Sequence, residues 1–276
     1  MKRFIKNFSK NKLNIISIFI IFLFIFISFI PQLFSPFSPN EMDSKYILTP
    51  PTFEHVFGTD QFGRDIFSRC MYGIQNSLLI ALSSIIIASI IGTFLGILSG
   101  YYGGIVDQII SRIIDAFFAF PSLVLALFIV ALFGTNMINL IVAIGIIYIP
   151  IFARTIRSST ISIKELNYVK ASKALGKNDF GIMVSVIFPN VLPIFIVTFT
   201  MNFSTAILTE ASLGFLGLGV PPPEATLGNL VGQGTNFIMV APWITLFPGL
   251  VIAIIVLSIN TFGDGLRDAL DPRLNR

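Results

Sequence analysis

The chain has 276 residues, of which 54% are hydrophobic and only 12% are charged. Soluble domains carry about 25% charged residues, so this composition and a mean hydropathy of +0.87 exclude an ordinary water-soluble fold and make lipid the solvent. The net charge of +4 sits beside apolar runs, as membrane flanks do, which argues against a nucleic-acid partner, and the single cysteine, Cys70, excludes an internal disulfide.

In chain order, residues 1–12 form a basic tail carrying Lys2, Arg3, Lys6, Lys10 and Lys12. The apolar run 13–34 is too long for a signal-peptide core, and Pro31 and Gln32 make a poor cleavage site, so it is expected to be a retained first span. A polar segment over 35–76 precedes a second span, Ser77–Gly100, in which Gly92, Gly96 and Gly100 recur every fourth residue. Small residues at that spacing let two helix backbones approach closely. A short turn over 101–108 leads to a third span, Ile109–Phe133. At its start stand Asp107, Arg112 and Asp115, and the three-residue spacing of Arg112 and Asp115 predicts a structural pair on one helix face. A tight turn at 134–136 leads to the shortest run, Ile138–Ala153, and then to a basic segment over 154–190. The fifth span, Val191–Phe215, contains Glu210. A Pro- and Gly-rich segment over 216–243 precedes the sixth, Ile244–Phe262, and a short tail over 265–276 ends the chain.

Each run must be helical, because lipid offers no partner to an open backbone amide. The expected fold is therefore all-α and integral to the membrane, with about six transmembrane helices. Of the 18 lysines and arginines, 14 lie in the N-terminal tail, the 154–190 segment and the C-terminal tail. Positive charge marks the cytoplasmic side, so both termini and the basic segment are expected there, with the 35–76 segment outside.

The most informative stretch is Tyr168–Asn190. It reads as a short helix, a glycine break at Gly176, a second amphipathic helix and Pro189 entering the next span. Ala171, Ala174 and Leu175 give the first helix a small apolar face between lysines, and Gly176 permits a positive-φ turn. Such a face suits docking into a groove of another protein or lying on the bilayer surface.

This segment resembles the cytoplasmic signature of ABC importer permeases: Glu-Ala-Ala, three residues, Gly, nine residues, Ile-x-Leu-Pro. Lys170, Ala171 and Ser172 occupy the first triplet, Gly176 falls at the required spacing, and Val186, Phe188 and Pro189 fill the tail. Lys170 stands where the family has glutamate and Ser172 where it has alanine. Elsewhere, Gly58-Thr59-Asp60 with Gly63-Arg64-Asp65 is similar to the Gly-Thr-Asp-x-x-Gly-Arg-Asp signature of the peptide and nickel permeases. Residues 211–223 and 262–273 resemble two further stretches of the C-component subunit of dipeptide and oligopeptide permeases.

The resemblance implies a type I importer permease (MetI-like) fold, with an ABC core over 77–264, in a bacterial cytoplasmic membrane. It implies a heterodimer with a second permease, two ABC ATPase subunits that carry ATP and Mg, and an extracytoplasmic solute-binding protein. Lys170, Ala171, Ser172, Ala174, Leu175, Gly176, Lys177, Asp179 and Pro189 would form the ATPase-coupling loop. The expected solutes are di- or oligopeptides, with nickel or metal chelates as the alternative.

No catalytic residue, metal ligand set or bound cofactor is expected in this chain. The one Gly-Lys pair, Gly176-Lys177, is followed by Asn178 and has Ala171 in place of the first glycine of a phosphate-binding loop. Glu210, inside a span, has two readings: a pathway or gating group, or a partner for a helix terminus, a backbone amide or an arginine. An ion-coupled secondary transporter would use Glu210 as its carrier group, but it has little intramembrane charge to work with and no inverted repeat. A membrane-embedded enzyme finds no recognisable constellation. The outer motif is read as maintaining the fold or as touching the binding protein or second permease. His55, the only histidine, cannot form a metal site alone and is expected at the surface.

Overall fold

A computed structural model describes residues 11–270. The basic residues expected in the tails, Lys2, Arg3, Lys6, Lys10, Arg273 and Arg276, lie outside the described residues. Among the described residues the architecture is helical, with a single isolated bridge between Thr59 and Asp65.

Helix α1, Lys12–Phe29, starts where the Asn11 side chain accepts from the Leu13 amide at 3.0 Å. It breaks at Ile30 before the one-turn helix α2, Pro31–Phe34, because the proline ring disfavours helical backbone at the preceding residue. An irregular segment, with a short 3₁₀ turn at Ser44–Tyr46, leads to α3, Ile66–Tyr102. At 37 residues and 1.5 Å per residue, α3 is roughly 55 Å long and exceeds the hydrocarbon core. Helices α4, Gly104–Phe118, and α5, Ser122–Phe133, meet at 87° around Pro121. Helix α6 runs Met137–Lys164, and α7, Asn167–Ala174, follows. A 37-residue helical run, Asp179–Phe215, comprises α8 (Asp179–Ile182), a π turn (Met183–Ile187) and α9 (Phe188–Phe215). The short α10, Leu227–Thr235, and the long α11, Trp243–Leu270, complete the order.

The core is the α3–α6 crossing, the most extensive helix pair. A Cβ on Gly92 would lie 2.6 Å from Phe152 Cβ, one on Gly96 2.6 Å from the Ala153 carbonyl oxygen, and one on Gly100 2.7 Å from Thr160 Cβ. The four-residue glycine stripe therefore lets two backbones touch. Helix α11 packs against α9, α10 and α1. Large apolar side chains face outward instead of inward: Phe19, Phe22 and Phe29 on α1 and Leu257 on α11 are all exposed. Such a surface is stable against acyl chains and not against water.

Several expected boundaries move. The second span begins at Ile66, inside the segment expected to be extracytoplasmic, because Asp65 caps it through a 2.7 Å bond from the Ser68 amide. The fourth helix does not end at Ala153 but continues to Lys164, so the first part of the basic segment is helix. The third run is two helices at a sharp angle. The expected Arg112–Asp115 pair is not formed: Asp115 accepts from Arg154 Nη2 on α6 at 2.7 Å. Arg154 is held in place by lying over the Phe118 ring, 4.0 Å from its centroid.

Candidate functional site

The ends of α3 and α6, the start of α4 and the run 164–187 meet at the basic end of the bundle. Two oxygens of Asp107 on α4 take a bidentate contact from Arg157 on α6, at 2.5 Å from Nε and 2.6 Å from Nη2. The Ser99 hydroxyl of α3 and the Ser111 hydroxyl of α4 donate to the same carboxylate. A fork-on-carboxylate contact fixes orientation as well as distance, so three helices are locked in register here.

Helix α7 stands off this end. Val169 is its one buried residue, and it joins a small apolar cluster with Ile97, Ile156, Ile182, Met183, Ile187 and Val191. Lys170, Ala171 and Ala174 are exposed and Ser172 is half-buried, its hydroxyl returned to the Tyr168 carbonyl at 2.9 Å. Leu175 is 88% exposed, beside the exposed Ala171 and Ala174. Gly176 has φ +82°, and the Gly176 and Lys177 amides bond back to the Lys173 and Ser172 carbonyls. This is the glycine-terminated helix end that reverses a chain tightly. Lys170 pairs with Glu165 at 3.0 Å and holds that exposed carboxyl below the ordinary carboxylate range.

The turn after Gly176 is fastened to the bundle. Asn178 caps α8 through the Gly181 amide at 2.9 Å. Tyr101 at the end of α3 donates its hydroxyl to Asp179 at 2.6 Å, and Lys164 at the end of α6 donates to the Tyr101 carbonyl at 3.3 Å. Lys177 reaches Ser185 on the π turn at 2.5 Å. Pro189 lies in the first turn of α9, directly after the π turn. A π turn is a local departure from regular α geometry that recurs at functional sites. The exposed knob leads through the turn at 175–178 into the helical run 179–215, and the start of that run is tied sideways to α3 through Asp179.

At the opposite end the Gly58–Asp65 motif folds on itself. Asp60 accepts from the Phe62 and Arg64 amides at 2.8 and 3.0 Å and from Arg64 Nε at 2.6 Å. Arg69, fully buried, lies beside the same carboxylate and donates to the Pro39 carbonyl at 2.8 Å. Thr59 bonds the Tyr46 carbonyl and the Thr49 amide, while its own carbonyl accepts from Trp243 Nε1 of α11 at 3.1 Å. Gly58 and Gly63 have φ of +72° and +74°. His55 is buried, not at the surface as expected. Its Nδ1 lies 2.9 Å from Asp65 Oδ1, and its ring packs on Phe37 and Tyr46. Together, His55, Asp65, Arg69 and Trp243 make this motif an anchor that caps α3 and ties it to α11. Sequence reasoning left His55 and Trp243 out of the candidate site.

Glu210 on α9 is fully enclosed. Neither carboxylate oxygen has a hydrogen-bond partner within bonding geometry among the described residues, although the Ser77 and Thr226 hydroxyls flank it. Ser77 on α3 also accepts from the Leu227 amide at 3.1 Å, and Thr226 caps α10. Glu210 therefore sits where α3, α9 and α10 converge.

The described residues form a polytopic helical bundle with an exposed glycine-terminated helix at its basic end. Residues 92–276 match the family described as binding-protein-dependent transport system inner membrane component, and residues 1–51 match the N-terminal TM domain of oligopeptide transport permease C. The chain is 45% identical over 269 residues to the dipeptide transport system permease protein DppC of Alkalihalophilus pseudofirmus, covering 98% of this chain and 88% of that protein. It is 39% identical over 280 residues to the di/tripeptide transport system permease protein DppC of Pseudomonas aeruginosa, covering 99% and 92%. It is also 39% identical over 249 residues to the glutathione transport system permease protein GsiD of Pectobacterium atrosepticum, covering 90% and 83%. A solved chain of the inward-facing MetNI methionine ABC transporter superposes with a TM-score of 0.60 at 21% identity, over 74% of this chain and 96% of that one, which shows a shared fold. The chain belongs to the binding-protein-dependent ABC transport permeases of the inner membrane.

Proposed function

We propose that this chain is the C-type permease of a peptide importer, pairing with a second permease, two cytoplasmic ATPases and an extracytoplasmic peptide-binding protein. The observation that carries the reading is the exposed Leu175–Gly176 knob, continuous through Asp179 and the π turn with a helix that crosses the bilayer. The names of the full-length relatives support peptides as the solute.

The chemistry of ATP, with its Mg, belongs to the partner subunits; this chain's part is mechanical. An ATPase groove covering Ala171, Ala174 and Leu175 would bury apolar surface that now faces water. When the two ATPases close, α7 moves with them. The Tyr101–Asp179 and Lys177–Ser185 bonds pass that displacement to α3 and the π turn. The π turn and Pro189 concentrate the bend, so that α9 tilts as a unit. The Asp107–Arg157 latch keeps α3, α4 and α6 together while they follow. The result is a pathway open alternately to the outside and the inside.

The test is uptake of a labelled dipeptide into proteoliposomes holding the full assembly. ATP-dependent accumulation that needs the ATPases and the binding protein is expected. Accumulation by this chain alone, driven by an ion gradient, would overturn the reading.

A further inference from the structure

A cavity of about 560 Å³ opens at the end of the bundle opposite the knob, where the end of α9, the loop over 216–226 and α10 meet the turn at Thr135. Small-molecule sites span roughly 300–1,000 Å³, so this volume fits a short peptide. Among the described residues no charged side chain lines it. Its lining combines apolar residues, Phe215, Leu216 and Val220, and a Gly- and Pro-rich stretch with Asn229, Gln233 and Asn236.

These amides play two roles. Asn229 is buried and fixed: its Nδ2 donates to the Val220 carbonyl at 2.5 Å, and a Cβ on Gly219 would lie 2.1 Å from its Oδ1. It shapes the wall and has little left to offer a ligand. Gln233 is half-buried and Asn236 exposed, three residues apart on one face of α10 and its end. Neither side chain has a hydrogen-bond partner among the described residues. Each primary amide offers two N–H donors and one carbonyl acceptor, the complement of a peptide unit, which has one of each.

We propose that this cavity receives the solute as it enters the bundle, with Gln233 and Asn236 bonding the peptide backbone and not its side chains. The inference rests on the peptide-importer reading and adds the place and mode of contact. An uncharged, amide-lined wall neither attracts nor repels a charged side chain, so it suits a carrier whose selection lies mainly in its binding protein. It also predicts that side-chain charge becomes visible to the permease once the wall itself is charged.

The experiment uses the complete assembly in proteoliposomes and compares uptake of alanyl-alanine, aspartyl-alanine and lysyl-alanine. Gln233→Glu is expected to lower aspartyl-alanine uptake relative to alanyl-alanine by about fivefold, through like-charge repulsion across a few ångströms of partly enclosed space. Lysyl-alanine should be spared or favoured. Asn236→Asp, at the exposed mouth, carries the same test if Gln233→Glu fails to assemble, and should shift the ratio in the same direction. A structural role would not reorder the substrates. If both variants lower all three peptides in the same proportion, or leave every ratio unchanged, the cavity is a surface covered by the second permease and the proposal is overturned. If the unaltered assembly takes up none of the three, the peptide reading fails and this inference fails with it.

Discussion

Replacing Gly96 with alanine should damage the bundle more than its one added methyl group suggests. The new Cβ would stand 2.6 Å from the Ala153 carbonyl oxygen, 3.0 Å from the Arg157 amide nitrogen and 3.0 Å from Ile156 Cβ. Comfortable contacts between carbon atoms lie at about 3.5–4.0 Å, so α3 and α6 must separate by roughly 0.5–1 Å. A gap of that size forfeits a quarter to a half of each local dispersion contact. In lipid no hydrophobic drive compensates, because the acyl chains are as apolar as the helices. Overpacking of this kind costs about 1–3 kcal/mol. Gly249 on α11 supplies the control, since a Cβ there meets nothing within 4 Å. Both substitutions gain the same helix propensity, roughly 1 kcal/mol, so their difference isolates the clash. Thermal unfolding in nanodiscs should place Gly96→Ala below Gly249→Ala by about 1–3 kcal/mol, with uptake reduced only in the former because Arg157 moves off Asp107. Equal melting and equal uptake for the two variants would refute close helix approach as the basis of the core.

Three further outcomes follow from the same contacts. Arg157→Lys removes the bidentate geometry to Asp107 while keeping the charge, and should cost about 1–2 kcal/mol; exchanging the two residues should recover part of that in a double-mutant cycle, and absence of coupling would show the latch to be idle. Gly63→Ala combines a φ of +74° with a Cβ placed 1.9 Å from the Asp43 carbonyl oxygen, so the outer anchor should open, with protease sensitivity confined to the 35–65 segment; resistance equal to the parent chain would contradict the packing described. Glu210→Gln keeps shape and removes charge where no cation among the described residues pairs with the carboxylate, so unfolding should not be weakened by more than about 1 kcal/mol, and any loss of uptake then belongs to transport; a larger loss of stability would make Glu210 a structural partner.

Hydropathy makes the helices legible, and the spacing of Gly92, Gly96 and Gly100 discloses the close helix approach in the core. Helix ends were harder to read. Ile66 to Asn76 is mixed in polarity, so the start of α3 is set by the Asp65 cap and by burial of Arg69, which hydropathy counts as a break. The last turns of α6 carry Arg154, Arg157 and Lys164, charges that read as loop but are spent on Asp115, Asp107 and the Tyr101 carbonyl. The bend at Pro121 lies between two apolar stretches that hydropathy joins into one. Spacing along a helix proposes only local partners, which is why Asp115 was matched to Arg112 and not to Arg154. His55 is buried by the Phe37 and Tyr46 rings, neighbours that no periodicity in an irregular segment can supply. The knob is the reverse case: its short glycine-terminated helix is written locally and legible, whereas the second amphipathic helix expected after it is a single turn joined through the π turn to α9.

The proposed docking role of that knob is tested most directly by cross-linking in membrane vesicles. A Leu175→Cys variant, joined by a short bifunctional reagent, should yield an adduct of this chain with its ATPase, and the adduct should vanish when Gly176→Asp is added. Absence of any adduct in an actively transporting assembly, or labelling of the Leu175→Cys thiol by an impermeant reagent from outside intact cells, would contradict the account.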